Sequence, residues 1–89
     1  METKAYFMVK MEEIAGGDGY EAIRELEAMP EVEAVERVSG EYDLVAEVLV
    51  DTPIGVVLIA NKIQVKKWVK SLHILSVESA APNPFLDEV

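Results

Sequence analysis

The most constraining feature of the sequence is the alternation of side chains between Tyr42 and Val50. Apolar residues occupy every second position of this segment, namely Tyr42, Leu44, Ala46, Val48 and Val50. Because successive side chains of a β-strand point to opposite faces, a period of two predicts a strand. A second alternation over Lys4–Met11 predicts another strand, in which Tyr6 and Met8 add apolar residues to the second face. A chain with two such segments is expected to fold around a β-sheet.

A first helix is predicted from about Gly19 to Met29. Asp18 and Glu21 form a capping box at its start, and Pro30 ends it. Apolar residues recur at helical spacing in this segment, which predicts that one stripe is buried. The stripe consists of Ala22, Ile23, Leu26 and Met29.

A second helix is predicted from Ile54 to Val65. Thr52 supplies a hydroxyl N-cap, and Pro53 occupies the first helical position, where its missing N–H has no partner to lose. The segment carries two apolar stripes, one of Ile54, Val57 and Leu58 and the other of Val56, Ile59 and Ile63. A helix that is apolar on two sides packs against two surfaces, here the sheet and a neighbouring subunit.

Two further strands are predicted, from Val32 to Val38 and from Trp68 to Glu78. The short turn Ser39-Gly40-Glu41 makes the former an antiparallel hairpin with the strand that ends at Val50. The order βαββαβ indicates an α+β, ferredoxin-like fold, with a four-stranded antiparallel sheet and both helices on one face. The other face also carries apolar residues, so the sheet of a second copy is expected to cover it, as in a dimeric α+β barrel.

Charge and composition exclude several function classes. The net charge is −9, and residues 12–43 alone carry 11 acidic and 2 basic residues. This field repels phosphate backbones, so direct binding of nucleic acid is not expected. With no cysteine and one histidine, disulfides, thiolate zinc sites and two-histidine metal sites are excluded, and neither a metal nor a cofactor is predicted. No signal peptide follows Met1, and the apolar run Ile54–Ala60 is too short to span a bilayer, so a soluble cytoplasmic protein is expected.

The hairpin Gly40-Glu41-Tyr42-Asp43 carries the most informative chemistry. Gly40 permits a positive φ in a tight turn and exposes backbone amides that can receive a carboxylate. Ionised Asp43 only accepts hydrogen bonds, so it can receive an ammonium group. The two features match the charged ends of a free α-amino acid. The alternative is structural: Gly40 shapes the turn, and Asp43 accepts backbone hydrogen bonds locally.

Three segments carry a family resemblance, at Ala5–Lys10, Met29–Val32 and Gly40–Val45. In this order they resemble the effector domain of Lrp/AsnC transcription regulators, called the regulation-of-amino-acid-metabolism (RAM) domain, over about residues 3–78. The resemblance implies a βαββαβ domain that dimerises through its sheet, often assembles into rings and binds amino acids between dimers. The regulators also have an N-terminal helix-turn-helix domain that this sequence lacks, so a stand-alone effector domain is expected.

The resemblance also implies an effector site between the hairpin and the last strand. Residues 40–43 match the family's Gly-x-Tyr-Asp motif. Where the last strand of the family often carries two threonines, this sequence offers a serine and a histidine. The candidate ligand-binding residues are Gly40, Glu41, Tyr42, Asp43, Ser71 and His73. No catalytic residue is predicted.

The expected function is therefore the sensing of an amino acid by a homo-oligomer, which modulates full-length Lrp/AsnC regulators by co-assembly. Two alternatives stay open: an assembly module without a ligand, and a cofactor-free enzyme of the dimeric α+β barrel type. The enzyme alternative depends on Asn61, Trp68 and His73, which are residue types that such enzymes use. In those enzymes the asparagine lies on the first strand, whereas Asn61 falls on the second helix, so a non-enzymatic function is favoured.

The chain divides into a ligand-binding domain over residues 1–79 and an extended C-terminal segment over residues 80–89. Pro82 and Pro84 stiffen this segment, which lowers the entropy lost on docking. The adjacent Phe85 and Leu86 are expected to pack on a neighbouring subunit, and the alternative is a frayed terminus.

Overall fold

A computed structural model describes residues 2–12 and 19–77 of the chain. Its elements are β1 (Thr3–Met11), α1 (Tyr20–Glu27), β2 (Val32–Arg37), β3 (Leu44–Val50), α2 (Pro53–Gln64) and β4 (Val69–Val77). This order confirms the predicted α+β, ferredoxin-like fold. The C-terminal segment that was predicted to pack on a neighbouring subunit lies outside the described residues.

The four strands form one antiparallel sheet in the order β2-β3-β1-β4. The first strand in the sequence is therefore an inner strand, and Phe7 lies between Ala46 of β3 and Ile74 of β4. The register shifts between Lys10 and Met11, so β1 is irregular at the end where the candidate site lies.

The core lies between one face of the sheet and the two helices. Alternate residues of the two inner strands are buried there, namely Ala5, Phe7, Val9, Leu44, Ala46, Val48 and Val50. Ala22 and Leu26 of α1 complete this core, with Ile23 and Met29 partly buried beside them. The first helix begins differently from the prediction, because its N-cap is Gly19, with a φ of 82° and no side-chain cap.

The second helix has the two predicted stripes. Val56, Ile59 and Ile63 are buried against the sheet. The other stripe faces outward, with exposed fractions of 70% for Ile54, 58% for Val57 and 57% for Leu58. Thr52 is the N-cap residue and Pro53 follows it, but the Thr52 hydroxyl accepts no hydrogen bond from a backbone N–H of the first turn. We call the exposed stripe the outer face of α2.

The second face of the sheet packs against neither helix, and we call it the open face. Its residues on β1 and β3 include Tyr6, Met8, Val45 and Leu49, and those on β4 are His73, Leu75 and Val77. Lys4 and Glu47 form an ion pair on this face, with 3.2 Å between Nζ and Oε1. Leu75 and Val77 are 49% and 42% exposed, so the described residues leave apolar surface on this face without a cover.

Polar contacts of Glu25 fix α1 to the start of β4. Its Oε1 accepts a hydrogen bond from Nζ of Lys66 at 3.0 Å, and its Oε2 accepts one from Nε1 of Trp68 at 3.0 Å. The hydrogen bond from Lys66 is the main cause of a lowered pKa of Glu25. Among the residues that the structure describes, neither helix has the length and apolar character needed to cross a membrane.

Candidate functional site

The hairpin between β2 and β3 adopts the turn that the sequence predicts. Gly40 has a φ of 115°, in the region that residues with a Cβ rarely adopt. A Cβ built at this position would meet no heavy atom of the described residues within 4 Å. The backbone conformation, and not a lack of space, therefore requires glycine here.

Asp43 joins the hairpin to the end of β1. Its Oδ2 accepts a hydrogen bond from the backbone N–H of Met11 at 2.7 Å, and its own N–H donates to the carbonyl of Val9 at 2.8 Å. The first bond lies just beyond the pair of Val9 and Leu44, where the ladder between β1 and β3 ends. The carboxylate thus has a structural role, but its backbone partner is 32 positions away, whereas the structural alternative had expected a local one. Within the described residues, Oδ1 receives no donor.

The side chain of Tyr42 extends from the hairpin towards β4. Its ring centroid lies 6.2 Å from that of His73, with an angle of 31° between the planes. Ser71 lies opposite Lys10 in the ladder between β1 and β4, and His73 lies opposite Met8. The fold therefore brings the predicted residues of the hairpin close to those of the last strand.

An open cleft of about 420 Å³ lies between these elements. It is lined by Lys10, Glu41, Tyr42, Lys70 and Ser71. Three of the predicted residues, Glu41, Tyr42 and Ser71, are thus part of its wall. His73 contacts the ring of Tyr42, whereas Gly40 and Asp43 support the hairpin behind the cleft and do not line it.

Two lysines of the cleft were missed by the sequence analysis. Lys10 is brought there by its pairing with Ser71 of β4, and Lys70 is next to Ser71 in the chain. One signal was present in the sequence: residues 53–77 contain four lysines and no acidic residue, in a chain of net charge −9. This segment is the basic part of an acidic molecule.

The charges of the cleft are not neutralised by the parts of the chain that the structure describes. Lys4 and Lys66 form ion pairs with Glu47 and Glu25, but neither Lys10 nor Lys70 has an ion-pair partner among these residues. Two lysines and one glutamate therefore line the same open depression. Such a set can bind a small molecule that carries both signs of charge.

The three residues of the enzyme alternative do not meet. Asn61 is exposed on α2, on the helix side of the sheet, and His73 lies on the open face. Trp68 is buried and donates its Nε1–H to Glu25. In residues 2–12 and 19–77, no group of three histidine, aspartate or glutamate side chains is arranged to hold a metal ion.

Comparison with protein families gives one match that covers most of the chain. The sequence profile described as the Lrp/AsnC ligand binding domain matches residues 4–71. None of the proteins with curated descriptions matches the chain.

Several solved structures share the fold. Hypothetical protein PHS023 from Pyrococcus horikoshii is 26% identical, with 89% of this chain and 93% of that chain covered and a TM-score of 0.76. FFRP-DM1 is 27% identical, with 85% and 99% covered and a TM-score of 0.76. The transcriptional regulator NMB0573 from Neisseria meningitidis, in its L-Met complex, is 16% identical, with 91% and 53% covered and a TM-score of 0.72.

Proposed function

The chain belongs to the family of Lrp/AsnC ligand-binding domains, and from that premise we propose that its cleft binds a free amino acid. The charges of the cleft carry this proposal. Lys10 and Lys70 are ammonium groups without an ion-pair partner in the described residues, and Glu41 contributes a carboxylate to the same wall. An α-amino acid has both complementary charges on one carbon atom.

The geometry suggests how the ligand is oriented. Lys70 binds the α-carboxylate with Lys10 nearby, and Glu41 receives the ammonium group. The rings of Tyr42 and His73, 6.2 Å apart, then face the ligand side chain. The L-Met complex of the Neisseria meningitidis regulator supports an amino acid as the ligand class, although that protein shares only the fold with this chain.

A screen of the common amino acids by thermal shift, followed by calorimetry of the hits, tests this proposal. Lys70→Met should weaken binding of the best ligand by about 10- to 150-fold, the loss expected for one hydrogen bond to a charged group. Lys62→Met is the matched control, because Lys62 is also without an ion-pair partner among the described residues but lies on α2. The proposal is wrong if no amino acid binds, or if the two lysine variants bind equally well.

The domain is further proposed to act as a homo-oligomer that includes the open face in its interface. The apolar residues left uncovered there support this assembly. Two similar solved structures, PHS023 and FFRP-DM1, consist of little more than the same domain, which supports an independent role for residues 1–79. Co-assembly with a full-length regulator would link ligand binding to transcription, and native mass spectrometry of a mixture of the two proteins tests it directly.

One observation favours a second candidate function, an assembly module without a ligand. Oδ2 of Asp43 is already used by the backbone of Met11, so half of the predicted ammonium receptor has a structural role. A homo-oligomer that binds none of the screened amino acids would support this candidate. Turnover of a quinol-like or haem substrate would instead revive the enzyme alternative.

A further inference from the structure

The outer face of α2 has no partner in the described part of the chain. Ile54, Val57 and Leu58 are each more than half exposed, although they are among the most apolar residues of the helix. Residues spaced by three and four lie on the same side of a helix, so Asn61 and Lys62 continue this face towards the C-terminal end. Lys62 has no ion-pair partner among the described residues. The face is therefore apolar at one end and positive at the other.

A depression of about 310 Å³ lies at the apolar end of this face. Its wall includes Ile54 and Leu58 of the outer face, together with Leu49, Thr52 and Glu31. Oε1 of Glu31 is buried and receives no hydrogen bond from the described residues. A carboxylate oxygen that is shielded from water requires a donor, so an occupant of the depression should offer an N–H group as well as apolar side chains.

We propose that residues 82–88 of the same chain occupy the depression and the outer face of α2. The segment reads Pro-Asn-Pro-Phe-Leu-Asp-Glu. The amide of Asn83 donates to Oε1 of Glu31, Phe85 and Leu86 cover the apolar residues, and the two acidic residues approach Lys62. This assignment is independent of whether the cleft binds an amino acid.

The position of β4 makes this docking accessible to the chain's own segment. Val77, the last residue of β4, pairs with Lys4 of β1. The neighbour of Lys4 in β1, Thr3, pairs with Val50, and α2 begins three residues after Val50. The strands β4 and β3 are separated by β1 alone, which is about 10 Å between their axes. An extended segment from Val77 to Asn83 spans roughly 19 Å. The segment can therefore reach α2 of its own chain. The sequence analysis had instead expected it to pack on a neighbouring subunit.

The order and spacing of residues 83–88 also match those of their proposed partners on α2 and in the depression. From Leu58 to Lys62 the helix rises by about 6 Å, and an extended segment from Leu86 to Glu88 covers about the same distance. When the segment runs along α2 in the direction of the helix, Asn83 meets Glu31 first, and the acidic residues reach the lysine last. The two prolines have no backbone N–H, so docking buries fewer unpaired donors.

Disulfide trapping tests the proposal, because the chain has no cysteine of its own. The test pair is Asn61→Cys with Asp87→Cys, which leaves Phe85 and Leu86 intact. The control pair is Ser76→Cys with Asp87→Cys, in which Ser76 is exposed on β4 and much nearer along the sequence. If the segment is not docked, the control pair should form its disulfide faster, because it closes the shorter loop. If the segment is docked on α2, the test pair should form its disulfide faster.

In a glutathione redox buffer, the test pair should close about tenfold faster than the control pair and should give a cross-linked monomer. Phe85→Ser together with Leu86→Ser, added to both pairs, should reverse this ranking. Faster closure of the control pair, or a ranking that the serine substitutions leave unchanged, would refute docking. A covalent dimer as the main product of the test pair would overturn the assignment to the same chain.

Discussion

The backbone N–H of Met11 donates a hydrogen bond of 2.7 Å to Oδ2 of Asp43, which ties the end of β1 to the hairpin. The two residues are 32 positions apart in the sequence, so the bond joins separate parts of the fold. Because Asp43 also belongs to the motif that the family resemblance connects with ligand binding, its charge and its hydrogen bond have to be tested separately.

Substitutions of Asp43 separate the two roles. Asp43→Ala leaves the part-buried N–H of Met11 without its acceptor, so the free energy of unfolding should fall by about 1–3 kcal/mol. Asp43→Asn keeps an acceptor oxygen and removes the charge, so it should retain most of the stability and lose ligand affinity. Urea unfolding and calorimetry measure the two effects. Equal stability of both variants would exclude the structural role, and unchanged affinity of Asp43→Asn would exclude the charge as part of the site.

The close approach of Gly55 and Val50 offers a second test. A Cβ at Gly55 would lie 2.8 Å from Cβ of Val50. Gly55→Ala should therefore destabilise the protein, because overpacking costs about 1–3 kcal/mol and exceeds the gain of about 1 kcal/mol in helix propensity. In a Val50→Gly background, which removes this Cβ together with both methyl groups, the same substitution should become stabilising. Chemical unfolding of the two single variants and the double variant gives the coupling energy, and additive effects would contradict the packing argument.

The contacts of Glu25 predict a pH dependence. The lowered pKa of Glu25 means that its ionised form is favoured by the fold, so its contribution is present above the unfolded value of 4.5 and lost as the pH falls through the lower folded pKa. The side chain is 43% exposed, so solvent limits this contribution to about 0.2–1 kcal/mol.

Comparison with Glu25→Gln isolates this contribution. The difference in unfolding free energy between the two proteins should be constant near neutral pH and disappear in acid below pH 4.5. Trp68 is the only tryptophan and donates to Glu25, so its fluorescence follows both unfolding and the local contact. A difference that stays constant from neutral to acidic pH would show that the charge of Glu25 is not involved.

A charged residue introduced at the centre of the open face tests whether this face forms the proposed interface. Met8→Glu should dissociate the proposed homo-oligomer, because a carboxylate would be buried among apolar residues of the opposite sheet. Val65→Glu is the control of equal charge, since Val65 is 80% exposed beyond the end of α2. Sedimentation velocity at micromolar concentration distinguishes the species. A wild-type chain that sediments as a 9.9 kDa monomer would contradict the predicted interface.

The regular elements could be predicted because each has a local pattern. The period of two over β3, the two stripes of α2 and the positive φ of Gly40 follow from residues close in sequence, and the structure confirms them. The cleft depends instead on which residues of distant strands lie opposite each other. Lys10 becomes a wall residue only through its pairing with Ser71, and sequence periodicity does not contain that register.

The N-terminal caps of α1 and α2 were also predicted incompletely, although they depend on residues close in sequence. The structure begins α1 after Gly19 in a left-handed conformation, and Thr52 caps α2 without a side-chain hydrogen bond. Both sequence patterns are typical of helix starts, but the residue types do not fix the backbone and side-chain geometry of the cap. The residue types therefore predicted the presence of each helix better than the chemistry of its first turn.

The inner position of β1 has a consequence for the order in which the chain can fold during synthesis. Its residue Thr3 pairs with Val50 and its residue Lys4 with Val77, so β1 is synthesised before both of the strands that pair with it. Closing such long loops before any contact is gained makes folding slow. Until then an apolar strand is exposed to other chains, and the negative charges that follow it between residues 12 and 43 would keep nascent copies apart by repulsion.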